Sequence, residues 1–191
     1  MANKRAKILT KDQLTELLSY VSKGKHPERD AAILLLSFKA GLRANEIAGL
    51  KRTDTLTAAG GLSHEIFIGS HISKNNRERS IPMHPDVKEA LESLYTSKHN
   101  DCIAYSPYGQ DDAMTSNALT VMLHRLYKEA NLEGCSSHSG RRTFITNTAR
   151  SANLVGCSLR DVQELAGHSD LRTTERYIEL SENVAELVET A

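Results

Sequence analysis

Apolar residues recur at helical spacing through most of this chain, and the pattern gives way to strand-like alternation in one interval, residues 65–82. A chain patterned this way folds mainly as helices around a small sheet. Thr10 caps a helix predicted from Lys11 to Val21, with Leu14, Leu17, Leu18 and Val21 at helical spacing. Pro27 opens a more apolar helix that runs to Ala40, where Gly41 stops it, and a third helix begins near Arg43. Glu65 to Gly69, His71 to Lys74 and Glu78 to Pro82 read as short strands, with Asn75-Asn76 turning between the last two. After Pro85 helices are predicted over Val87 to Tyr95, Ser116 to Ala130, Arg141 to Ala152 and Leu159 to Ala166, with a last pair around Thr173 to Ile178 and Glu182 to Val188. Ser158 and Asp161 have the spacing of a capping box. The predicted class is α+β, mainly α with a small antiparallel β-sheet.

A length of 191 residues suits a single domain with a sizeable core. Twenty-four Lys+Arg balance twenty-four Asp+Glu, so any basic surface must come from local clustering. The apolar run from Ala31 to Leu36 is far short of a bilayer span, and the basic start from Met1 to Lys7 has no apolar region after it. Cytoplasmic residence is the expectation, with residues 1–10 as a flexible basic tail. Cys102, Cys135 and Cys157 are odd in number and form no C-x-x-C pair, which indicates neither a disulfide framework nor a zinc site.

Four groups of residues can carry chemistry, and each has an ordinary alternative. Arg43 and Glu46, three apart at a helix start, can share a face, where the carboxylate would orient the guanidinium; such pairs are also common as solvated ion pairs. His138 and Arg141 repeat that spacing, and a structural histidine beside a solvated arginine would look the same. His168 and Tyr177 are nine residues apart, which on one unbroken helix of about 3.6 residues per turn would point them half a turn apart. Gly167 and Ser169-Asp170 supply a break, after which Thr173 or Thr174 can cap a short helix that returns Tyr177 toward His168. Lys74, with Arg77 and Arg79 beside it, is either a solvated hairpin lysine or part of a phosphate-contacting patch.

The ordered set is more specific than its members. Gly41-Leu-Arg-Ala-Asn-Glu-Ile-Ala-Gly-Leu50, Ser73-Lys-Asn, Arg79-Ser-Ile-Pro-Met83, His138-Ser-Gly-Arg-Arg-Thr-Phe144 and Gly167-His-Ser-Asp-Leu-Arg-Thr-Thr-Glu-Arg-Tyr177 closely resemble the tyrosine recombinases, or phage integrases. The resemblance runs from about Thr10 to the end. It implies the tyrosine recombinase catalytic-domain fold and a site-specific DNA recombinase for integration, excision or inversion, acting through a 3′-phosphotyrosine intermediate. The implied catalytic set is Arg43, Lys74, His138, Arg141, His168 and Tyr177, with Glu46 supporting Arg43 and with Arg77, Arg79 and Arg142 as phosphate contacts. Gly140 departs from the leucine usual before the second arginine and Arg142 from the histidine usual after it. Neither change removes a catalytic group; a looser packing at Gly140 is one expectation.

This chemistry uses no metal and no cofactor. The transition state spreads negative charge over the phosphate's non-bridging oxygens, and guanidiniums match that charge with permanent cations in a planar fork. Forming a phenolate at neutral pH costs about 4 kcal/mol in water, which nearby cations and a base must offset. The implied partners are double-stranded DNA and further copies of the chain, as a tetramer on paired sites, with no membrane and with nucleoid association when bound. Residues 180–191 form an expected C-terminal helix whose Leu180, Val184, Leu187 and Val188 pack on their own domain or dock on a neighbouring protomer. No N-terminal core-binding domain is expected. Two alternatives stay open: DNA relaxation like that of a type IB topoisomerase, and a non-cutting DNA-binding regulator on the same fold.

Overall fold

The structure, a computed structural model, describes residues 5–74, 76–97, 100–108 and 112–177. Helices α1 (Lys11–Val21), α2 (Pro27–Lys39) and α3 (Ala44–Gly49) precede strands β1 (Glu65–Ile68) and β2 (Arg79–Pro82); α4 (Pro85–Ser97), α5 (Ser116–Glu129), α6 (Ser139–Ser151), α7 (Leu159–Ala166) and α8 (Leu171–Glu175) follow. The class expected from periodicity, mostly helical with a small antiparallel sheet, is the class observed. Thr10 caps α1 through a full capping box with Gln13, and Ser158 does the same for α7 with Asp161.

α2 is the axis of the domain. Every residue from Arg29 to Phe38 except Ala31 is buried, as expected of a helix that is apolar on all sides, and it packs against α1, α3, α4 and α6. Leu17, Ile33, Leu36, Leu91 and Leu123 belong to the main core around it. Arg29 and Asp30 enter that core as a pair at 2.7 Å, with the guanidinium over the Tyr105 ring. A smaller core of Ile145, Ala152, Val162 and Ala166 joins α6 to α7, and Tyr177 packs on it.

The strands pair in the register Ile66 to Ile81 and Ile68 to Arg79, with Ile66, Ile68 and Ile81 buried. The strand expected over His71 to Lys74 is a turn instead. Ile72 and Ser73 both donate their amides to the Gly69 carbonyl, and Asn45 Nδ2 donates to the Ile72 carbonyl at 2.8 Å. Local turn bonds and one long-range amide thus outcompete ladder pairing in a segment whose alternation looked strand-like.

The N-terminal segment also differs from a free tail. From Arg5 onward it lies against α6: Lys7 donates its amide to the Gly134 carbonyl, Leu9 is buried and donates to Thr143 Oγ1 at 3.0 Å, and Arg142 donates to the Ala6 carbonyl at 2.9 Å. The helix expected over residues 180–191 lies outside the described residues.

Candidate active site

Glu46 is completely buried, so its charge must be compensated within the fold. Arg43 Nη1 and Arg79 Nη1 donate to Oε1 at 3.1 and 3.0 Å, while Arg79 Nη2 and the Arg43 amide donate to Oε2 at 3.0 and 2.8 Å. Burial alone would raise the carboxyl's pKa; hydrogen bonds and charge from Arg79, then those from Arg43, overcome it and hold the group below the usual carboxylate range. Arg43 carries its remaining reach to the Gly167 carbonyl at 3.5 Å, which fixes its plane and leaves further N–H donors for the cavity.

Arg141, in the first turn of α6, is nearly enclosed. Its guanidinium donates to the carbonyls of Gly41, at 2.6 Å, and Ala166. Burial first, then the charge of Arg43, pulls its pKa down; Glu46 and Tyr177 oppose that shift only in part. A desolvated cation beside a like charge is under-compensated, and an incoming oxyanion relieves it. The α6 N-terminus adds its partial positive charge at the same place.

Two backbone turns make this aim possible. Gly41 has φ +66°, and a side chain there would strike the Phe144 ring; Gly167 has φ +62° and lies 3.0 Å, at the position of a Cβ, from the Arg79 guanidinium. A side chain at Gly41 is opposed by both the backbone conformation and the Phe144 ring, while one at Gly167 meets a disfavoured conformation and would have to push the Arg79 guanidinium slightly aside; both positions supply carbonyls to the arginines. Gly140 allows a third close approach, since a Cβ there would meet Ser37. It tightens the packing of α6 on α2, where the sequence reading expected loosening.

The expected break between His168 and Tyr177 is present. Gly167 ends α7 in the left-handed conformation, and Asp170, not Thr173 or Thr174, caps α8 by accepting from the Arg172 amide. The chain then returns so that the His168 and Tyr177 rings stack, with centroids 5.7 Å apart and planes at 24°. His168 Nδ1 lies 2.9 Å from Thr174 Oγ1, and the Tyr177 amide donates to the Thr174 carbonyl at 3.0 Å. Thr146 of α6 donates to the Tyr177 carbonyl at 3.3 Å. Burial, then the charges of Arg141, Arg43 and Arg79, pulls the His168 pKa down to about 4, so the ring is neutral at physiological pH.

Two cavities meet at this point. One of about 650 Å³ is lined by Arg43, His138, Arg141, His168 and Tyr177. The other, about 360 Å³, is lined by Arg43, Lys74, Arg77 and His168. Arg43 and His168 form the wall they share, with Tyr177 on one cavity and Lys74 on the other. His138 is exposed at the N-cap of α6. The structure thus brings all six residues of the sequence-derived set to one locus.

The basic residues around the set divide. Arg77 is exposed at the Lys74 cavity. Arg142 lines the tyrosine side while bonded to Ala6. Arg79 lines the Lys74 cavity too, but its guanidinium is engaged by both Glu46 oxygens, and its Nε donates to the Leu165 carbonyl at 3.3 Å, so it has fewer donors for the phosphate contact the sequence suggested. Parity along the strand carries the signal: Arg79 and Ile81 share a face, and Ile81 is buried. Asn45, Thr146 and Thr174 are the positioning residues the sequence reading missed, since their role depends on contacts distant in sequence or across the helix break. Among the described residues, no three His, Cys, Asp or Glu side chains gather as a metal site.

The sequence matches the Phage integrase family over residues 7–183. Tyrosine recombinase XerD of Rickettsia prowazekii (strain Madrid E) is 32% identical over 197 residues, covering 95% of this chain and 61% of the relative. The chain therefore spans about three-fifths of that relative's length. Among solved structures, the Tn1549 transposon integrase in complex with a circular intermediate DNA has the same fold, with a TM-score of 0.76 at 21% identity over 99% of this chain and 67% of that one. XerH site-specific recombinase bound to palindromic difH substrate superposes with a TM-score of 0.75 at 22% identity, over 100% of this chain and 54% of that one. On the match across nearly all of its length, this chain belongs to the phage integrase family.

Proposed function

We propose that this chain carries the strand-cutting and strand-joining centre of a site-specific DNA recombinase. The observation that carries the reading is the shared wall of Arg43 and His168, with Tyr177 on one side and Lys74 on the other. In-line displacement at phosphorus needs a nucleophile and a leaving group on opposite sides of the phosphate, with cations at its equator.

In the proposed reaction a duplex phosphate lies at that wall, its non-bridging oxygens taken by Arg43, Arg141 and neutral His168. His138 takes the phenolic proton, and the Tyr177 oxygen attacks phosphorus. The phosphorus–5′-oxygen bond breaks, and Lys74 supplies the proton that makes the leaving group a 5′-hydroxyl. The 3′-phosphotyrosine link conserves the ester, so another 5′-hydroxyl reverses the step without an energy source. Glu46 orients Arg43, while Arg77 and Arg142 contact flanking phosphates. The relatives solved on DNA support a double-stranded partner. A lambda integrase dimer bound to a core site makes assembly of several copies on paired sites the expected working form.

The test starts by selecting bound duplexes from a random-sequence library, then nicking the recovered site so that the short fragment bearing the new 5′-hydroxyl diffuses away after cleavage. Wild type should accumulate a covalent protein–DNA adduct and Tyr177→Phe none. An adduct formed by the Phe variant would sink the assignment. Supplying a 5′-hydroxyl on a second duplex should release the adduct as a recombinant strand.

A further inference from the structure

A buried threonine inside a helix usually donates its hydroxyl back to its own helix. Thr15, Thr96 and Thr143 each donate their hydroxyl to the carbonyl four residues back. Thr174, in α8 and with no exposed surface, does not; its hydroxyl points to His168 Nδ1 at 2.9 Å. Among the described residues no other hydrogen-bond partner of that hydroxyl is seen. The His168 backbone is pinned independently, by its own amide donating to the Gln163 carbonyl and by Gln163 Nε2 donating to its carbonyl at 2.9 Å. What the Thr174 contact adds is control of the ring.

We propose that Thr174 is a positioning residue that selects the tautomer of His168, donating to Nδ1 so that the single ring proton resides on Nε2, the nitrogen left for the phosphate cavity. Two arguments converge on the direction of the bond. If Nδ1 carried the proton and donated to Thr174, the buried hydroxyl hydrogen would have no acceptor among the described residues; with the hydroxyl donating, both groups are satisfied. A phosphate oxygen, in turn, can only accept, so a neutral histidine helps it only with the proton on the nitrogen that faces it. Arg43, Arg79 and Arg141 crowd the ring with positive charge, and Tyr177 stacks on it, so gaining a second ring proton is not the alternative route to a donor. The same residue's carbonyl holds the Tyr177 amide, which ties nucleophile and phosphate donor to one residue of α8.

The inference rests on the proposed recombinase reading for its consequence, but the tautomer is measurable without DNA. Long-range proton–nitrogen correlation spectra of histidine-labelled protein distinguish Nε2–H from Nδ1–H, and a His168→Gln spectrum identifies which of the eight histidines is which. Wild type and Thr174→Ser should show Nε2–H, and Thr174→Val should add the other tautomer. Single-turnover cleavage should fall roughly 10–100-fold in Thr174→Val, the range seen for partners that orient metal-ligating histidines through the far nitrogen. Thr174→Ser should restore it, with duplex affinity equal in all three. Nδ1–H in wild type overturns the proposal, and so does a Val variant that keeps pure Nε2–H and the wild-type rate. Should the Val variant fail to fold, the wild-type and Ser spectra still decide the direction of the bond. Absence of any wild-type adduct would instead count against the recombinase reading and leave the tautomer result standing.

Discussion

One buried carboxylate, Glu46, serves two arginines with different duties. Arg43 spends one guanidinium nitrogen on it and lines both cavities; Arg79 spends two on it and lines only the Lys74 cavity. Arg79→Ala should therefore behave as a stability defect, leaving both Glu46 oxygens short of a donor. The expected cost is about 3 kcal/mol, because breaking a buried pair from one side exposes the desolvation of the other. Urea unfolding midpoints check it, and Arg79→Lys should recover little, since an ammonium cannot span both oxygens. The sequence made the Arg43–Glu46 pair legible through helical spacing alone. It could not show that a third residue, from a strand 33 positions later, completes the pair.

At the scale of elements, placing the site depends on two interruptions. The first is the turn after α7, legible because Gly167 and Ser169-Asp170 are turn residues; the cap expected at Thr173 or Thr174 falls instead on Asp170, since Asp and Thr serve equally well as caps and local sequence does not choose between them. The second is the turn that carries Lys74, which sequence alternation disguised as a strand. Asn45 anchors that turn from α3. Asn45→Ala should slow cleavage by releasing Lys74 without touching the phosphate. A substrate whose leaving 5′-oxygen is replaced by sulfur, which departs without a proton, should bring Asn45→Ala and Lys74→Ala back toward wild type. If the sulfur substrate leaves both variants as slow as before, the anchor acts on something other than the leaving-group proton.

For the whole molecule, charge balance conceals the site. Equal numbers of acids and bases give no net attraction to DNA, while Arg43, Lys74, Arg77, Arg141 and Arg142 gather around two adjoining cavities. Composition could not reveal this, since clustering is a property of the fold; the helical class was legible because periodicity survives in one dimension. The buried part of that cluster also sets an acid limit. His168 binds its proton near pH 4 when folded and near 6.5 when unfolded, so its contribution to stability is complete above about 6.5 and is lost as pH falls through that window. Glu46 acts with the same sign at lower pH, present above the usual carboxylate range and lost as pH falls through its depressed folded value. The denaturation midpoint should drop from pH 6.5 downward, and His168→Asn should flatten the upper part of that curve. An unchanged slope in the Asn variant would remove His168 as the cause.

The carbonyls of Gly41 and Gly167 give the two cavity-facing arginines an unusual form of heritable security. An arginine aimed by a neighbouring carboxylate can lose its bearing through a substitution at that neighbour. One aimed by a peptide oxygen is held by an atom present whatever residue occupies the position, provided the chain can make the turn. Part of the genetic information for orientation then resides in two residues with no side chain, beside Glu46 in the case of Arg43. Descendants of this protein can vary much of the lining without disturbing these two carbonyl contacts, and drift at either glycine could leave the net charge unchanged while disturbing the turn that places them.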